Sequence, residues 1–379
     1  MNDVEALLQE VRTDIDDIDH KLLELFIKRM KCSERVAEIK GRNGLPVFNE
    51  AREQAIIDRV KGRAGPYGGA AASLYSSIMA VSRERQYQML NEEDEVKSLI
   101  KNSPAALDTK GKKIVCQGVS GAYSHKAARM FFGENADVSF TPQFGDVFKA
   151  VEEGTGDFGV VPMENSAAGS VSEVYGLMMK YRFYICGAVS LFVNHCICTK
   201  SDAVITKVFS HPQALLQCSN YLKRNNLEKA EYSNTAAAAK YIAENGREGE
   251  AVICSKEAAE QYGLRVIQEG IQDSANNHTR FAVVSKMPVF PMNAKKISLC
   301  FNLPNIPGSL SGILQRFAIN GLNLTKIESR PLKNSDFNYE FYLDFTGSIH
   351  EEPVLNLISS LKASIGTFTF LGNYDEIKE

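Results

Sequence analysis

The chain has 379 residues, of which 44 % are hydrophobic, and it carries a net charge of -3 with a pI of about 6.2. This length predicts two or three domains, and the weakly acidic balance argues against a nucleic-acid partner. The N-terminus lacks the features of a secretory signal, no stretch is long and apolar enough to cross a membrane, and the cysteines lack metal-site spacing, so we expect a cytoplasmic protein with reduced thiols, no membrane contact and no bound metal.

The first part of the chain has the pattern of an all-helical domain. From Val4 to Leu25 apolar side chains recur in alternating steps of four and three residues, and they return at Val36 and Ile39. This heptad pattern predicts one helix of about 40 residues, and its apolar stripe needs a partner, so a homodimer is the simplest arrangement. Shorter helices are predicted at 49–63 and 69–90. We place this domain at residues 1–92 and a polar linker at 93–111.

Polar side chains interrupt the apolar stripe. Arg29 occupies a heptad position, Lys40 returns to nearly the same face, and Ser82 and Gln86 lie one turn apart on the third predicted helix. Cations on an inner face predict an anionic ligand, because a buried unpaired charge is costly. The alternative is that the long side chains reach outward to solvent and that Ser82 is a tolerated hydroxyl.

Residues 112–288 alternate strand-like and helical runs, which predicts an α/β domain. Four polar clusters follow predicted strands, at 118–124, 164–171, 210–217 and 278–281. Such domains place their sites at strand ends, although each cluster alone could be ordinary cap or turn chemistry.

Residues 295–374 follow the order βαββαβ, which predicts a ferredoxin-like α+β domain with a turn at LKNSDFN. PGSLSGIL (307–314) opens its first helix and ESRP (328–331) ends a strand. A glycine at a helix start and a proline at a strand end also have purely structural explanations.

Taken in order, these residues resemble a known family. Arg12, Arg29 and Lys40, then NEARE (49–53) and SRERQ (82–86), resemble the all-helical chorismate mutases. ENSxxGxV (164–171) and TRF (279–281) resemble prephenate dehydratase, and the βαββαβ region resembles the ACT domain that follows dehydratases. The whole chain thus resembles the bifunctional chorismate mutase/prephenate dehydratases.

The resemblance to the mutases implies an intertwined helical dimer that rearranges chorismate to prephenate without a cofactor. The enzyme has to hold two carboxylates and stabilise charge on the breaking ether oxygen, the role expected of Lys40 and Gln86. The implied site contains Arg29, Lys40, Asn49, Arg52, Glu53, Ser82 and Gln86 of one chain and Arg12 of the other. Asn49 stands where the family often has Asp.

The resemblance to the dehydratases implies two lobes, 112–188 with 270–287 and 190–268, arranged as in type II periplasmic binding proteins with prephenate between them. Loss of carbon dioxide and water gives phenylpyruvate, and aromatisation removes the need for a cofactor. Thr279 is expected at the departing hydroxyl. The other implied site residues are Ser124, Asn165, Ser166, Gly169, Ser210, Gln217, Arg280 and Phe281.

His211 and His278 are candidates for an acid in this second reaction, and the alternative for each is a surface or structural histidine. Neighbours on a strand face opposite ways, so we expect His278 to point out of the cleft if Thr279 points into it.

The resemblance to ACT domains implies feedback inhibition by L-phenylalanine bound between domains of a homodimer or higher homo-oligomer. The implied effector residues are Gly308, Ser309, Leu310, Asn323, Glu328, Ser329 and Arg330, with serine at 309 where the family usually has alanine. Two alternatives stay open: a chain in which one centre is inactive, and a non-catalytic amino-acid-sensing protein.

Overall fold

The computed structural model describes residues 2–90, 95–306, 308–332 and 339–379, with side chains from residue 4 onward. It divides into two compact units, residues 1–101 with 300–368 and residues 102–299 with 369–379. Pro307, the first residues of the predicted linker and nearly all of the predicted turn at LKNSDFN lie outside the described residues.

The N-terminal region is helical, as the heptad pattern predicts. Its helices are α1 (Asn2–Arg42), α2 (Glu50–Arg63), α3 (Gly68–Leu90) and α4 (Glu95–Lys101). The long helix α1 ends where Gly44 adopts a left-handed φ of 62° and Leu45 N–H bonds back to Lys40 O at 3.0 Å. Asn49 caps α2 by accepting a hydrogen bond from Arg52 N at 3.0 Å.

Part of the polar linker predicted at 93–111 is helical, since α4 occupies Glu95–Lys101. The segment is polar overall, which led to that interpretation, but Val96 is only 3 % exposed. Val96 is the one buried residue of α4, and its packing helps to hold this short helix, because helix stability in proteins comes mainly from tertiary packing.

Residues 113–285 form the predicted α/β region. The strands are β1 (Lys113–Gln117), β2 (Asp137–Thr141), β3 (Phe158–Asn165), β4 (Gly169–Ser170), β5 (Tyr184–Phe192), β6 (Cys196–Thr199), β7 (Lys207–Ser210), β8 (Glu228–Glu231), β9 (Glu250–Cys254), β10 (Arg265–Gln268) and β11 (His278–Ser285). The helices are α5 (Tyr123–Phe132), α6 (Phe144–Glu152), α7 (Ser172–Tyr181), α8 (Pro212–Gln217), α9 (Ser219–Arg224), α10 (Thr235–Asn245) and α11 (Lys256–Gln261).

These strands form two sheets, one for each predicted lobe. The first has the order β5-β11-β3-β1-β2 with β4 beside β3, and the second has the order β10-β6-β9-β7-β8. β11 lies antiparallel between β3 and β5, so the chain returns to the first lobe after completing the second. The lobe boundary falls after Phe192 rather than at 188, because β5 continues through a nearly unbroken apolar run.

The C-terminal region contains β12 (Lys296–Leu303), α12 (Ser309–Ile319), β13 (Leu324–Pro331), β14 (Tyr339–Thr346), α13 (Glu352–Ser364) and β15 (Phe368–Tyr374), followed by β16 (Glu376–Lys378). The order βαββαβ and the sheet order β13-β14-β12-β15 agree with the predicted ferredoxin-like arrangement. The last strand, β16, was not anticipated: it pairs parallel to β5 and extends the sheet of the first lobe.

Two further expectations concern the cysteines and the membrane. All eight cysteines are free thiols and all except Cys32 are buried, as predicted. Among the helices that the structure describes, none combines the length and the apolar character that a membrane span requires.

Candidate active sites

Arg29 on α1 faces α3, where the sequence places Ser82. Its guanidinium donates a hydrogen bond to the Ser82 hydroxyl and, at 3.5 Å, to Ile78 O. Ser82 is only 5 % exposed. Both acceptors are uncharged oxygens, which satisfy the N–H groups without neutralising the positive charge, so this position remains suited to a carboxylate ligand.

Gln86 lies one turn after Ser82 and is 7 % exposed. Its Nε2 donates to Ser33 Oγ at 2.9 Å and to Ser82 O at 3.2 Å, while Oε1 is buried without a hydrogen-bond partner among the described residues. The side-chain amide of Gln86 would have to rotate by half a turn, which exchanges Oε1 and Nε2, before it could donate a hydrogen bond to a ligand beside the present position of Oε1. Ser33 was missed by sequence reasoning, although its place one turn after Arg29 was a usable signal.

Lys40 and Glu53 belong to a neighbouring group. Lys40 donates to Val47 O, and burial lowers the pKa of its ammonium while the charge of Glu53 acts in the opposite direction. Glu53 pairs with Arg83, whose guanidinium lies 5.3 Å from the centre of the Phe48 ring. Glu53 thus lies beside two cationic side chains, Lys40 and Arg83, of which the sequence analysis did not anticipate Arg83.

Arg12 and Arg52 are exposed on the single chain. Arg12 precedes Arg29 on the same helix by a distance of roughly 25 Å, at ~1.5 Å per residue. One chain cannot bring both guanidinium groups to one small ligand, in agreement with the expectation that Arg12 serves the partner's site.

Asn165 organises the polar cluster in the α/β region. Its Oδ1 accepts hydrogen bonds from the backbone of Ala167 at 3.0 Å and Ala168 at 2.9 Å, which closes the turn that ENSxxGxV encodes. Gly169, with φ of 79°, continues this turn. The Asn165 Nδ2 group then donates to Thr279 Oγ1 at 2.9 Å.

Gln217, at the end of α8 in the second lobe, joins the same cluster. Its Nε2 donates to Asn165 Oδ1 at 3.3 Å, and its Oε1 accepts from Asn277 Nδ2 at 3.2 Å and contacts His195 Nε2 at 2.9 Å. Asn277 also accepts from Asn165 Nδ2 at 2.8 Å. Side chains from three of the four sequence clusters, 164–171, 210–217 and 278–281, thus lie together beside Thr279, and the 118–124 cluster contributes none of these contacts.

Asn277 and His195 were not among the predicted site residues. Asn277 stands two positions before Thr279 in the NNHTRF segment, and this was a usable signal. His195 lies between β5 and β6 with no neighbouring motif, and only the tertiary structure brings it to Gln217.

Ser166 and His278 are neighbours of this polar cluster, and Ser166 holds the backbone of the segment that carries Asn277 and His278. Ser166 Oγ accepts from His278 N at 2.9 Å and donates to Asn276 O at 2.9 Å. The His278 ring lies 5.3 Å from the ring of Phe192, while Thr279 contacts Asn165. The two neighbours thus contact different partners, as expected for adjacent residues of a strand.

Several predicted residues do not lie with Asn165 and Thr279. Phe281 is in the hydrophobic core of the first lobe, Arg280 pairs with Glu164 at 2.9 Å, and Ser210 is completely buried with its hydroxyl 2.6 Å from Ile253 O. Ser124 is likewise bonded to Gln117 O at 2.8 Å. These contacts indicate structural positions, because Phe281 lies further along β11 within the packed core and the two hydroxyls are used by backbone carbonyls.

His211 caps α8 by accepting from Gln213 N at 3.2 Å, and burial lowers the pKa of its imidazole despite the opposing charge of Glu231. The neutral ring therefore has a structural role at the helix start. Burial also lowers the pKa of His195, against the raising effect of its hydrogen bond to Gln217.

The predicted effector residues lie in two places in the C-terminal region. Gly308, with φ of 85°, precedes α12, and Ser309 and Leu310 form its first turn. Glu328, Ser329 and Arg330 lie on the edge strand β13, where Arg330 pairs with Glu328 at 2.7 Å and lies 5.6 Å from the Tyr342 ring centre. Asn323 precedes that strand and is exposed.

Two polar groups have been described, one around Arg29, Ser82 and Gln86 and one around Asn165 and Thr279. Together with the fold, they define a chain with an all-helical isomerase-like region and a two-lobed α/β lyase-like region. Residues 11–87 match the family model of chorismate mutase type II, and residues 114–289 match that of prephenate dehydratase.

Full-length relatives and a solved structure agree. The bifunctional chorismate mutase/prephenate dehydratase of Aquifex aeolicus is 32 % identical over 372 residues, covering 97 % of each chain. Its Neisseria gonorrhoeae counterpart is 31 % identical and covers 98 % of each. The prephenate dehydratase of Arthrobacter aurescens in complex with L-Phe has a TM-score of 0.64 at 28 % identity, over 69 % of this chain and 90 % of that one.

The chain belongs to the bifunctional chorismate mutase/prephenate dehydratase family. It is an enzyme with one domain for each of the two reactions, and it serves phenylalanine biosynthesis.

Proposed function

We propose how the residues of each centre act in the two reactions. The observation that carries the second assignment is the convergence of Asn165, Gln217 and Asn277 beside the Thr279 hydroxyl. The first assignment rests on Arg29, Ser82 and Gln86, which meet between α1 and α3.

In the mutase centre, Arg29 binds a carboxylate of chorismate, with Arg12 of the partner subunit as the second cation. Lys40 and the turned amide of Gln86 donate to the ether oxygen as its bond to the ring breaks. Asn49, Arg52, Glu53 and Ser82 line the remainder of the site. This rearrangement transfers no proton, so the work of the site is to select a compact conformer and stabilise developing charge.

In the dehydratase centre, Thr279 donates a hydrogen bond to the departing hydroxyl of prephenate. Asn165 Nδ2 occupies one acceptor position of Thr279 Oγ1, which leaves the single hydroxyl proton to be donated. As the ring carboxylate leaves as carbon dioxide, its electron pair enters the ring and expels hydroxide, which takes up a proton to leave as water. The amide groups of Asn165 and Gln217 contribute further hydrogen bonds to the substrate.

Replacement of the Thr279 hydroxyl tests this assignment. We expect Thr279→Ala to lower the dehydratase kcat by at least about 100-fold, the lower end of what a positioned proton donor contributes. Thr279→Ser, which keeps the hydroxyl, should retain most of the rate. The substrate is chorismate, and prephenate and phenylpyruvate are followed separately, so the mutase rate, which depends on the other compact unit, is an internal reference for the amount of enzyme, and Thr279→Ser is the control for folding of the dehydratase region. An unchanged dehydratase rate in Thr279→Ala would refute the role.

The active form is a homodimer through α1. Its heptad side chains are exposed on the single chain: Ile15 50 %, Ile18 55 %, Leu22 54 % and Leu25 61 %. A long apolar stripe on one helix costs free energy in water, and a second copy of the same helix covers it in register. The same pairing supplies Arg12 to the second site.

L-Phenylalanine is the expected effector, and it binds near Gly308, Ser309 and Leu310 together with Asn323 and the segment 328–330. The support is the βαββαβ order of this region and the L-Phe complex of the related Arthrobacter aurescens enzyme. Isothermal titration of the dimer with L-Phe tests it, and no heat of binding at millimolar ligand would refute it. An inactive centre or a purely sensory role is not favoured, because the full-length relatives carry both activities in their names.

A further inference from the structure

His195 is buried at the crossing between the two lobes of the dehydratase region. Its side chain is 2 % exposed, its Nε2 lies 2.9 Å from Gln217 Oε1, and its Nδ1 has no hydrogen-bond partner among the described residues. A buried polar atom without a partner is costly, so a histidine kept here calls for an explanation.

The direction of every hydrogen bond in this cluster follows from the backbone. The N–H groups of Ala167 and Ala168 can only donate, so the Asn165 atom that they contact must be its oxygen. The Asn165 nitrogen therefore donates, both to Thr279 Oγ1 and to Asn277 Oδ1. The orientation of the Asn277 amide is fixed as a result.

The same reasoning reaches His195 through Gln217. The Asn277 nitrogen donates to the Gln217 oxygen, and the Gln217 nitrogen donates to Asn165 Oδ1. Gln217 Oε1 can only accept, so His195 Nε2 must carry a proton. The backbone of the 164–171 turn thus determines, through Asn165, Asn277 and Gln217, the tautomer of His195. In that tautomer Nε2 carries the proton and Nδ1 carries none.

We propose that His195 is a positioning residue of the dehydratase centre, whose Nε2–H holds the Gln217 amide in the orientation that keeps Asn165 donating to Thr279. Without that donor, Gln217 Oε1 keeps only the N–H group of Asn277, so the Gln217 amide is held by fewer contacts and its hydrogen bond to Asn165 Oδ1 is weakened. Asn165 Oδ1 keeps its two backbone contacts, but the side chain is held less firmly, so the Asn165 Nδ2 bond to Thr279 is weaker and the Thr279 proton is less well aimed at the ligand.

The neutral form of His195 is adequate for this role. Burial opposes a charged ring and lowers the pKa of the imidazole, so the Nε2–H tautomer is retained near neutral pH. The ring also makes an edge contact with Tyr123 at 6.4 Å between centroids, and Tyr123 donates to Asn194 O at 3.0 Å, so its orientation is held from a second side.

Two variants of His195 distinguish the effect of its Nε2–H donor from the effect of its side-chain volume. His195→Gln places an amide N–H near the position of Nε2, whereas His195→Leu fills the space without a donor. The inference rests on the proposed role of Thr279. We expect His195→Leu to lower the dehydratase kcat about 10- to 100-fold with the KM for prephenate changed less than about 3-fold, and His195→Gln to recover most of the loss. The mutase rate of the same chains should be unchanged.

A double variant tests whether His195 acts through Thr279. In the Thr279→Ala background, His195→Leu should lower the residual rate by less than about 2-fold, because residues that act as one unit are not additive. Additive losses, or a His195→Leu enzyme with full activity, would overturn the inference. Full activity of Thr279→Ala would instead overturn the proposed function.

A spectroscopic measurement reports the tautomer of His195 in the unaltered enzyme directly. Two-bond ¹⁵N–¹H correlation of the histidine rings, with His195 assigned by its absence in His195→Gln, should show the Nε2–H tautomer at pH 7. An Nδ1–H tautomer or an imidazolium would contradict the hydrogen-bond directions and refute the proposal.

Discussion

Arg316 of α12 and Glu84 of α3 form a buried ion pair that links the C-terminal region to the mutase helices within one unit. Arg316 Nε and Nη2 lie 2.8 and 2.7 Å from Glu84 Oε2, and Ser360 Oγ of α13 donates to Glu84 Oε1 at 2.8 Å. Glu84 is 4 % exposed, Arg316 is 7 % exposed and Ser360 is fully buried. On the same helix, Ser82 and Gln86 face α1.

We predict that Arg316→Met destabilises this unit strongly. The change removes the two charge-assisted hydrogen bonds to Glu84, each contributing about 1.5–3 kcal/mol, together with those that Arg316 donates to Ser360 and Ser364, and it leaves the Glu84 carboxylate buried with Ser360 as its remaining donor. The expected loss is about 3–5 kcal/mol of unfolding free energy, the usual cost of removing one partner of a buried pair. Methionine keeps most of the apolar stem of the arginine, so the loss reports the charge rather than the volume.

Replacing both partners should cost much less. The double variant Glu84→Leu/Arg316→Met leaves no buried charge without a partner, and we expect it to recover to within about 1–2 kcal/mol of the original chain. The control is Arg265→Met: Arg265 pairs with Asp202 at 2.8 Å, but the side chains are 56 % and 98 % exposed. An exposed pair of this kind contributes less than about 1 kcal/mol.

The assay is urea unfolding followed by far-ultraviolet circular dichroism, since the chain has no tryptophan. Mutase activity measured across the same urea series identifies the transition of the unit that contains α3. The reasoning would be refuted if Arg316→Met cost less than 1 kcal/mol, or if the double variant were as unstable as the single one.

Three further predictions concern the mutase centre, the dimer and the effector site. Gln86→Glu places a carboxyl where Gln86 is 7 % exposed; burial favours its protonated, donating form, so variant activity should fall as pH rises from 6 to 8 while the original enzyme stays level. Above that range both should lose activity as Lys40, whose pKa is lowered by burial, gives up its proton. Leu22→Lys, at a stripe position that is 54 % exposed on one chain, should convert the dimer to a monomer in size-exclusion chromatography and lower the mutase kcat/KM at least about 100-fold with dehydratase activity retained. Gly308→Ala forces an L-residue to φ of 85° and should cost about 1–2 kcal/mol and weaken L-Phe binding by titration calorimetry.

The dimer and effector-site predictions each have a matched comparison variant. Thr13→Lys introduces the same charge on the opposite face of α1 and should leave the dimer intact. Gly312→Ala lies on the helix that Gly308 opens, has open space around its added methyl group and should be neutral or stabilising. A flat pH profile for Gln86→Glu, a dimeric Leu22→Lys or normal effector binding by Gly308→Ala would contradict the corresponding prediction.

The sequence by itself determined the elements and the chemical types at the sites. The heptad spacing from Val4 to Leu25 predicted α1, and the alternation of strand and helix patterns predicted the two lobes, because periodicity is a local property of the chain. ENSxxGxV predicted the turn that Asn165 closes for the same reason. Phe281 was placed in the wrong environment because a motif does not state which of its members faces the ligand.

Only the tertiary structure decided which remote side chains meet. His195 contacts Gln217, Asn277 contacts Asn165, and Arg316 contacts Glu84 across more than 200 residues. The strand β16 joins β5 across a similar interval. These pairings depend on how whole sheets and helices pack, and no local spacing encodes them, so His195 and Glu84 carry no recognisable signal in the sequence although they lie next to the two centres in space.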